Sequence, residues 1–207
     1  MDNSAWTILQ MGLGLGFLHS LDADHIAAVT GMSGPQAERK SAMVFPLYWA
    51  AGHSGAIVVV AIGVLLLGLA VPYRISELAE SAVAYMLIAI GVAAWFQLAC
   101  EQSKSSRKAA AHMGANKATA VGLLHGCAGS APVLALIPIA TLQSPMMGVA
   151  YILLFCVGVS FSMLILGRLL ALTATKSNNR LEAFKHWLRP TFATFPIALG
   201  IYLIAFA

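Results

Sequence analysis

Six long apolar segments, separated by short polar connections, occupy most of the 207-residue chain. They cover residues 5–32, 42–71, 82–100, 118–142, 146–174 and 190–207. A helix needs about 20 apolar residues to cross a bilayer, so each segment is predicted to be a transmembrane helix. Only 10% of the residues are charged, whereas soluble domains contain about 25%. This pattern predicts an all-α membrane protein and excludes a soluble globular domain.

The positive charges indicate the orientation of the segments. Ten of the twelve Lys and Arg residues fall in the first, third and fifth connections. Because cytoplasmic connections carry an excess of these residues, these three are predicted to be cytoplasmic and both termini to lie outside. The charges form no basic stripe, so the expected partner is the lipid bilayer and not a nucleic acid. The three cysteines include no Cys-x-x-Cys pair, and no disulfide framework is predicted.

Short segments of the first half recur in the second half. Gly16–His19 matches Gly122–His125 and Gly52–Ser54 matches Gly158–Ser160 at a shift of 106 residues, while Ile88–Gly91 matches Ile197–Gly200 at a shift of 109. With three helices in each half, the second half must enter the membrane from the opposite side, as in inverted repeats. Chance matching among small and apolar residues is the alternative interpretation.

These observations together predict one transmembrane domain over residues 1–207. Its six transmembrane helices form two inverted three-helix repeats, residues 1–103 and 104–207. In transporters with this organisation the substrate site lies near the middle of the membrane, between the halves.

Four ionisable residues, His19, Asp22, Asp24 and His25, interrupt the first apolar segment. A carboxylate at membrane depth costs about 2.5 kcal/mol or more, so such groups are expected to pair, face a cavity or hold a ligand. On a regular helix the two histidines lie about 120° and about 9 Å apart. One ion with bonds to nitrogen of about 2 Å cannot bridge them. If they act together, the helix must be unwound near Ser20–Ala23.

A third imidazole comes from His53 on the second segment, between Gly52 and Ser54. His19, Asp24, His25 and His53 are predicted to bind a metal ion, since imidazole-rich sites suit Ni, Co, Cu and Zn. Asp22 is a further ligand or orients a ligating imidazole. Ser54 is a candidate to contact the metal ligands or to line the ion pathway.

His125, Cys127 and Ser130 occupy the related position in the second half. His125 and Cys127 are candidate ligands in another state of the transport cycle, or they line the pathway together with Ser130. Three other interpretations of the histidines within the apolar segments stay open: hydrogen-bonded packing, a proton relay, and a haem held by histidine pairs.

The segment His19-Ser-Leu-Asp-Ala-Asp24-His25 resembles the His-x4-Asp-His signature of the nickel/cobalt transporter family, and Gly52-His53-Ser54 resembles its Leu-Gly-His-Ser motif. The resemblance implies that His19, Asp24, His25 and His53 bind the metal. It also implies that Ni²⁺ or Co²⁺ is carried across a bacterial cytoplasmic membrane.

Typical members of that family have more helices and carry acidic motifs in the second half, where this chain has His125-Gly-Cys-Ala-Gly-Ser-Ala-Pro132. That pattern is more similar to the shorter membrane proteins associated with urease maturation, for which the resemblance also implies nickel handling.

The expected function is therefore that of a secondary permease and not of an enzyme. No Gly-x4-Gly-Lys-Ser/Thr motif for nucleotide hydrolysis occurs in the sequence. No prosthetic group is expected, because Ni²⁺ or Co²⁺ is the transported substrate, and protonation of the ligating imidazoles should compete with it. Gly12 and Gly16 are also compatible with a homo-oligomer. The rival functions are a membrane oxidoreductase or haem-binding protein, and an accessory protein that delivers metal without transporting it.

Overall fold

A computed structural model describes residues 3–33, 39–68, 72–100, 115–128, 144–173 and 179–206. These residues form seven α-helices and contain no β-strand. The helices are α1 (Asn3–His19), α2 (Ala23–Ser33), α3 (Arg39–Leu67), α4 (Tyr73–Cys100), α5 (Ala115–Cys127), α6 (Pro145–Thr173) and α7 (Asn179–Phe206).

Four of these helices are long and apolar enough to cross a membrane. The spans are Val44–Leu67 in α3, Tyr73–Ala99 in α4, Pro145–Leu172 in α6 and Trp187–Phe206 in α7. Large apolar side chains, such as Val59, Leu78 and Phe96, are exposed on their outer faces. A soluble protein rarely exposes so much apolar surface, whereas lipid accommodates it. The described chain is thus a helical, multi-pass membrane protein, as the composition predicted.

Two helices are longer than the sequence pattern indicated. The helix α4 begins at Tyr73 and α7 begins at Asn179, ahead of the predicted segments 82–100 and 190–207. The added turns carry charged residues such as Glu77, which is exposed. Hydropathy marks the part of a helix that suits the bilayer core, and charged end turns that continue the same helix do not register in it. Of the predicted segment 118–142, only residues up to 128 are described.

The first predicted span is two helices and not one. The helix α1 ends at His19 and α2 begins at Ala23, within the stretch where unwinding was expected. Hydrogen bonds between residues three apart replace the four-residue bonds of the α-helix there. The amide of Asp22 donates to the His19 carbonyl at 3.0 Å. The Ser20 hydroxyl donates to the Phe17 carbonyl at 2.8 Å. Ser and Asp side chains that bond nearby backbone weaken a helix interior, so the polar residues of the segment themselves favour the break.

Helices approach one another closely at glycines. A Cβ atom at Gly16 would overlap the Phe155 carbonyl of α6, and one at Gly122 would overlap the Trp49 carbonyl of α3. Small residues that let backbones meet are the usual interface residues of membrane helices, since the lipid supplies no hydrophobic force between helices. The pairs α1 and α6, α3 and α5, and α4 and α7 therefore pack backbone to backbone.

The glycine contacts form reciprocal pairs. These are Gly16 on Phe155 with Gly122 on Trp49, Gly158 on Leu13 with Gly52 on Thr119, and Gly91 on Ala193 with Gly200 on Ala84. Within each pair, the two contacts are equivalent under the sequence shift. If one residue of a contact is moved forward by 106 positions and the other is moved back by 106, the result is the second contact of the pair. For the last pair the shift is 109. The helices α6 and α7 also begin and end 106 residues after α3 and α4.

The order of the contacts gives the relative helix directions. Gly12 lies against Tyr151. One turn later Gly16 lies against Phe155, so α1 and α6 run in the same direction. The same progression makes α3 and α5 parallel, whereas the contacts of α4 and α7 advance in opposite directions and make that pair antiparallel.

Candidate metal centre

The break between α1 and α2 brings three histidines together. His19 is the last residue of α1, His25 lies in the first turn of α2, and His53 lies on α3. Their ring centroids are 4.6 Å apart for His19 and His25, 5.0 Å for His25 and His53, and 5.5 Å for His19 and His53. All three are buried, with at most 5% of the residue exposed. We call these residues the histidine triad.

One ring nitrogen from each member of the triad lies within 4.8 Å of the other two. Two metal–nitrogen bonds of about 2 Å each span at most about 4 Å. Three nitrogens spaced evenly around one ion are closer still, at about 3.5 Å or less, so those of the triad need to close by roughly 1–2 Å at most to share one ion.

Two carboxylates form hydrogen bonds with two of the three imidazoles of the triad, those of His19 and His25. Asp22 Oδ2 lies 2.8 Å from His19 Nδ1, and Asp24 Oδ1 lies 2.8 Å from His25 Nδ1. Because an ionised carboxylate only accepts hydrogen bonds, each Nδ1 carries the proton and each Nε2 keeps its lone pair. A carboxylate on the far nitrogen is how ligating histidines are usually fixed in orientation and tautomer.

The lone-pair nitrogens of the triad have no protein partner. Nε2 of His19, Nε2 of His25 and both ring nitrogens of His53 are buried and make no hydrogen bond among the described residues. Leaving a buried polar group unpaired costs about 1–3 kcal/mol, and such groups in one place call for an explanation. Three neighbouring imidazoles with available lone pairs have the donor chemistry of a site for a borderline divalent ion.

The two carboxylates lie at the more open side of the site. The side chain of Asp22 is 51% exposed and that of Asp24 is 26% exposed, whereas both partner imidazoles are 3% exposed. Asp22, Asp24 and His25 also offer ligand atoms within 4.8 Å of one another. Two negative charges beside neutral imidazoles match the charge of a divalent cation. Asp24, predicted as a ligand, bonds His25 in this structure through both the ring and the amide of that residue.

The other residues that the sequence predicted for the site or the ion pathway do not all lie beside the histidine triad. His125 on α5 is buried, with its ring 5.4 Å from that of His25. Cys127, two residues later, is exposed, and its helix position directs it away from His125. The Ser54 hydroxyl, next to His53 in the sequence, is buried and has no hydrogen-bond partner within the described ranges. Ser130 lies outside the described residues.

Two aromatic residues that the sequence reasoning missed enclose the triad. Trp49 stacks on His53 with ring centroids 4.9 Å apart and planes 12° from parallel, and it also meets the edge of His25 at 5.0 Å. Phe155 of α6 packs against His19 at 5.6 Å. Trp49 and Phe155 are 106 residues apart, so the shift that relates the two halves could have identified them as a pair.

The comparisons with known proteins found one distant similarity. The chain is 23% identical over 195 residues to the urease accessory protein UreH of Bacillus sp. (strain TB-90), covering 89% of this chain and 85% of that protein. No family model matches the chain. No solved structure matches it either.

Proposed function

We propose that the chain is a secondary permease for a divalent first-row transition ion, Ni²⁺ or Co²⁺. The ion binds to Nε2 of His19 and His25 and to a ring nitrogen of His53. The observation that carries the proposal is the histidine triad: three buried imidazoles whose donor nitrogens lie within 4.8 Å of one another. Nε2 of His19, Nε2 of His25 and both ring nitrogens of His53 have no hydrogen-bond partner among the described residues.

The chemistry of the donors supports the metal class. Imidazole suits Zn, Cu, Ni and Fe, whereas Mg and Ca favour oxygen ligands. The resemblance of the His19–His25 segment to the nickel/cobalt transporter signature narrows the choice to Ni²⁺ or Co²⁺. The similarity to a urease accessory protein supports nickel, because the resemblance to membrane proteins of urease maturation implies nickel handling. Asp22 and Asp24 orient the imidazoles, and Asp24 remains a candidate ligand through its second oxygen.

We also propose that residues 1–103 and 104–207 are inverted three-helix repeats, with the broken α1–α2 unit as the first span. The reciprocal glycine contacts support this architecture. Parallel packing of α1 with α6 and of α3 with α5, and antiparallel packing of α4 with α7, are the directions that an inverted repeat requires. The charge distribution supports termini outside, and the resemblance to the nickel/cobalt transporters implies the bacterial cytoplasmic membrane.

One alternative has a specific observation behind it. The relative is called a urease accessory protein, and a membrane protein that binds nickel and hands it to a partner would use the same triad. Such a delivery protein binds the ion without moving it across the bilayer. Measured flux therefore separates the two functions.

The test is uptake of Ni²⁺ and Co²⁺ into liposomes containing the purified protein. We expect wild-type flux to be lost in His19→Ala and in His53→Ala, since each variant removes one of three imidazole ligands. His186→Ala is the matched control, because it removes a histidine from α7, whereas the histidine triad lies on α1, α2 and α3. Binding without flux in the wild type would favour metal delivery. Full flux in both triad variants would refute the permease proposal.

A further inference from the structure

His125 presents a fourth buried imidazole to the site from the second half of the chain. The residue is 1% exposed, and its Nε2 is buried with no hydrogen-bond partner in the part of the chain that the structure describes. Its Nδ1 lies 3.2 Å from the Val121 carbonyl, one turn earlier on α5. Because a carbonyl only accepts, Nδ1 carries the proton and the Nε2 lone pair is available to a metal ion.

His125 does not join the triad in this conformation. Its nitrogens lie outside the groups of described residues whose ligand atoms are all within 4.8 Å of one another. Its ring contacts are with His25 at 5.4 Å and with Trp49 at 5.5 Å. The His25 ring is in contact with both His19, at 4.6 Å, and His125, at 5.4 Å. An ion on the triad would thus have a further imidazole next to one of its ligands, His25.

His19 and His125 are equivalent positions of the two halves, 106 residues apart. Each lies on a helix that meets its neighbour at glycines, α1 on α6 at Gly16 and α5 on α3 at Gly122 and Gly126. The carbonyl of His53 lies against Gly126, so sliding of α5 along α3 changes the distance from His125 to the triad directly.

We propose that His125 is a second-half ligand, which takes the place of His19 in a second binding arrangement with His25 and His53. The inference rests on the proposed function and adds a step to it: the ion is passed between equivalent histidines of the two halves while two ligands keep hold of it. Nδ1 of His125 bonds a neutral carbonyl, whereas Nδ1 of His19 bonds a carboxylate. His125 is therefore the weaker ligand, which favours onward release.

The experiment compares equilibrium Co²⁺ binding in detergent with Co²⁺ flux into liposomes. For His125→Gln we expect binding within about threefold of wild type, because the triad is intact, and flux lower by about tenfold or more. Retained binding also shows that the variant is folded. Asn116→Ala, an exposed change on the same helix, is the control and should match the wild type in both assays.

A second comparison identifies ligation rather than packing. In the His19→Ala background we expect weakened but measurable Co²⁺ binding, which His125→Gln then removes. In the wild-type background the same change has little effect on affinity. A purely structural role for His125 would make the effect of the substitution equal in both backgrounds.

The proposal is overturned if His125→Gln leaves flux within about threefold of wild type. It is also overturned if binding falls as far as in His53→Ala, since His125 would then belong to the first arrangement. Failure of the proposed function looks different: the wild type shows no flux, or His53→Ala leaves flux intact. These wild-type and His53→Ala measurements are made first.

Discussion

At the scale of single residues, each carboxylate of the site is tied to one imidazole. Asp22 bonds His19 and Asp24 bonds His25, both at 2.8 Å and both on Nδ1. The carboxylates therefore orient both rings and leave Nε2 of each as the nitrogen available to the proposed ion. Sequence reasoning placed all four residues in one site and predicted Asp24 as a ligand, which stays a prediction, but it did not foresee the bond from Asp24 to His25. Side-chain orientation at the helix break depends on three-dimensional packing that residue spacing does not contain.

The carboxylates can be tested by isosteric substitution. We expect Asp22→Asn and Asp24→Asn each to weaken Co²⁺ binding by about 10- to 100-fold, the usual effect of removing the hydrogen-bond partner of a ligating histidine. The measurement is Co²⁺ titration of the purified variants. Binding that is unchanged in both would show that the carboxylates do not act on the ligands. The more exposed Asp22 should give the smaller effect of the two.

The fluorescence of Trp49 should respond to metal binding at the same site. Its ring lies 4.9 Å from that of His53 and 5.0 Å from that of His25, so a paramagnetic Ni²⁺ or Co²⁺ ion held by these rings should quench its fluorescence. We expect saturable quenching on titration and loss of that component in Trp49→Phe. Trp95→Phe is the control, since Trp95 lies on α4 and bonds Thr194. Quenching that persists in Trp49→Phe would place the ion elsewhere.

At the scale of the elements, the break between α1 and α2 was predictable and the full lengths of α4 and α7 were not. The break followed from geometry, because His19 and His25 cannot share an ion on an unbroken helix. The extra turns at the starts of α4 and α7 contain charged residues such as Glu77, and hydropathy gives no signal for helix that projects beyond the bilayer core. The aromatic residue Trp49 was missed because an apolar pattern does not distinguish a side chain at a site from one in the core.

The glycine interfaces predict a contrast between neighbours on one helix. Gly16→Ala puts a methyl group into the Phe155 carbonyl, whereas a Cβ atom at Gly14 meets nothing within 4 Å. We expect Gly16→Ala to lower stability by about 1–3 kcal/mol, a typical cost of overpacking. Gly14→Ala should be neutral or stabilising by up to about 1 kcal/mol, since Ala favours a helix.

Thermal unfolding in detergent measures the difference between the two variants. The same contrast should hold on α3, where Gly52 meets the Thr119 carbonyl and Gly55 meets nothing within 4 Å. Equal stability of the paired variants would mean that the helices do not approach as closely as the structure describes.

At the scale of the whole molecule, the 106-residue shift found in the sequence also relates helix bounds and glycine contacts in the structure. The shift could be found in the sequence because equivalent positions of the two halves carry the same residue type. These positions are the glycines at helix contacts and the histidines His19 and His125. It could not reveal which helices pack together, since α1 meets α6 and α3 meets α5 across the halves.

The proposed inverted topology has a direct consequence for the termini. With three spans in each half, both termini lie on one side and the connection between the halves, residues 101–114, lies on the other. We expect reporter fusions at either terminus to respond as external and a fusion within 101–114 to respond as cytoplasmic, in line with its positive charges. Termini on opposite sides would contradict the six-span arrangement.

The most direct measurement of the central claim is the X-ray absorption spectrum of Ni²⁺ bound to the purified protein. The three buried imidazoles of the histidine triad predict nitrogen ligation with imidazole outer-shell scattering, which should decrease by one ring in His53→Ala. A coordination shell of oxygen alone, or a spectrum that His53→Ala leaves unchanged, would contradict the account, because the ion would then be bound somewhere other than the triad.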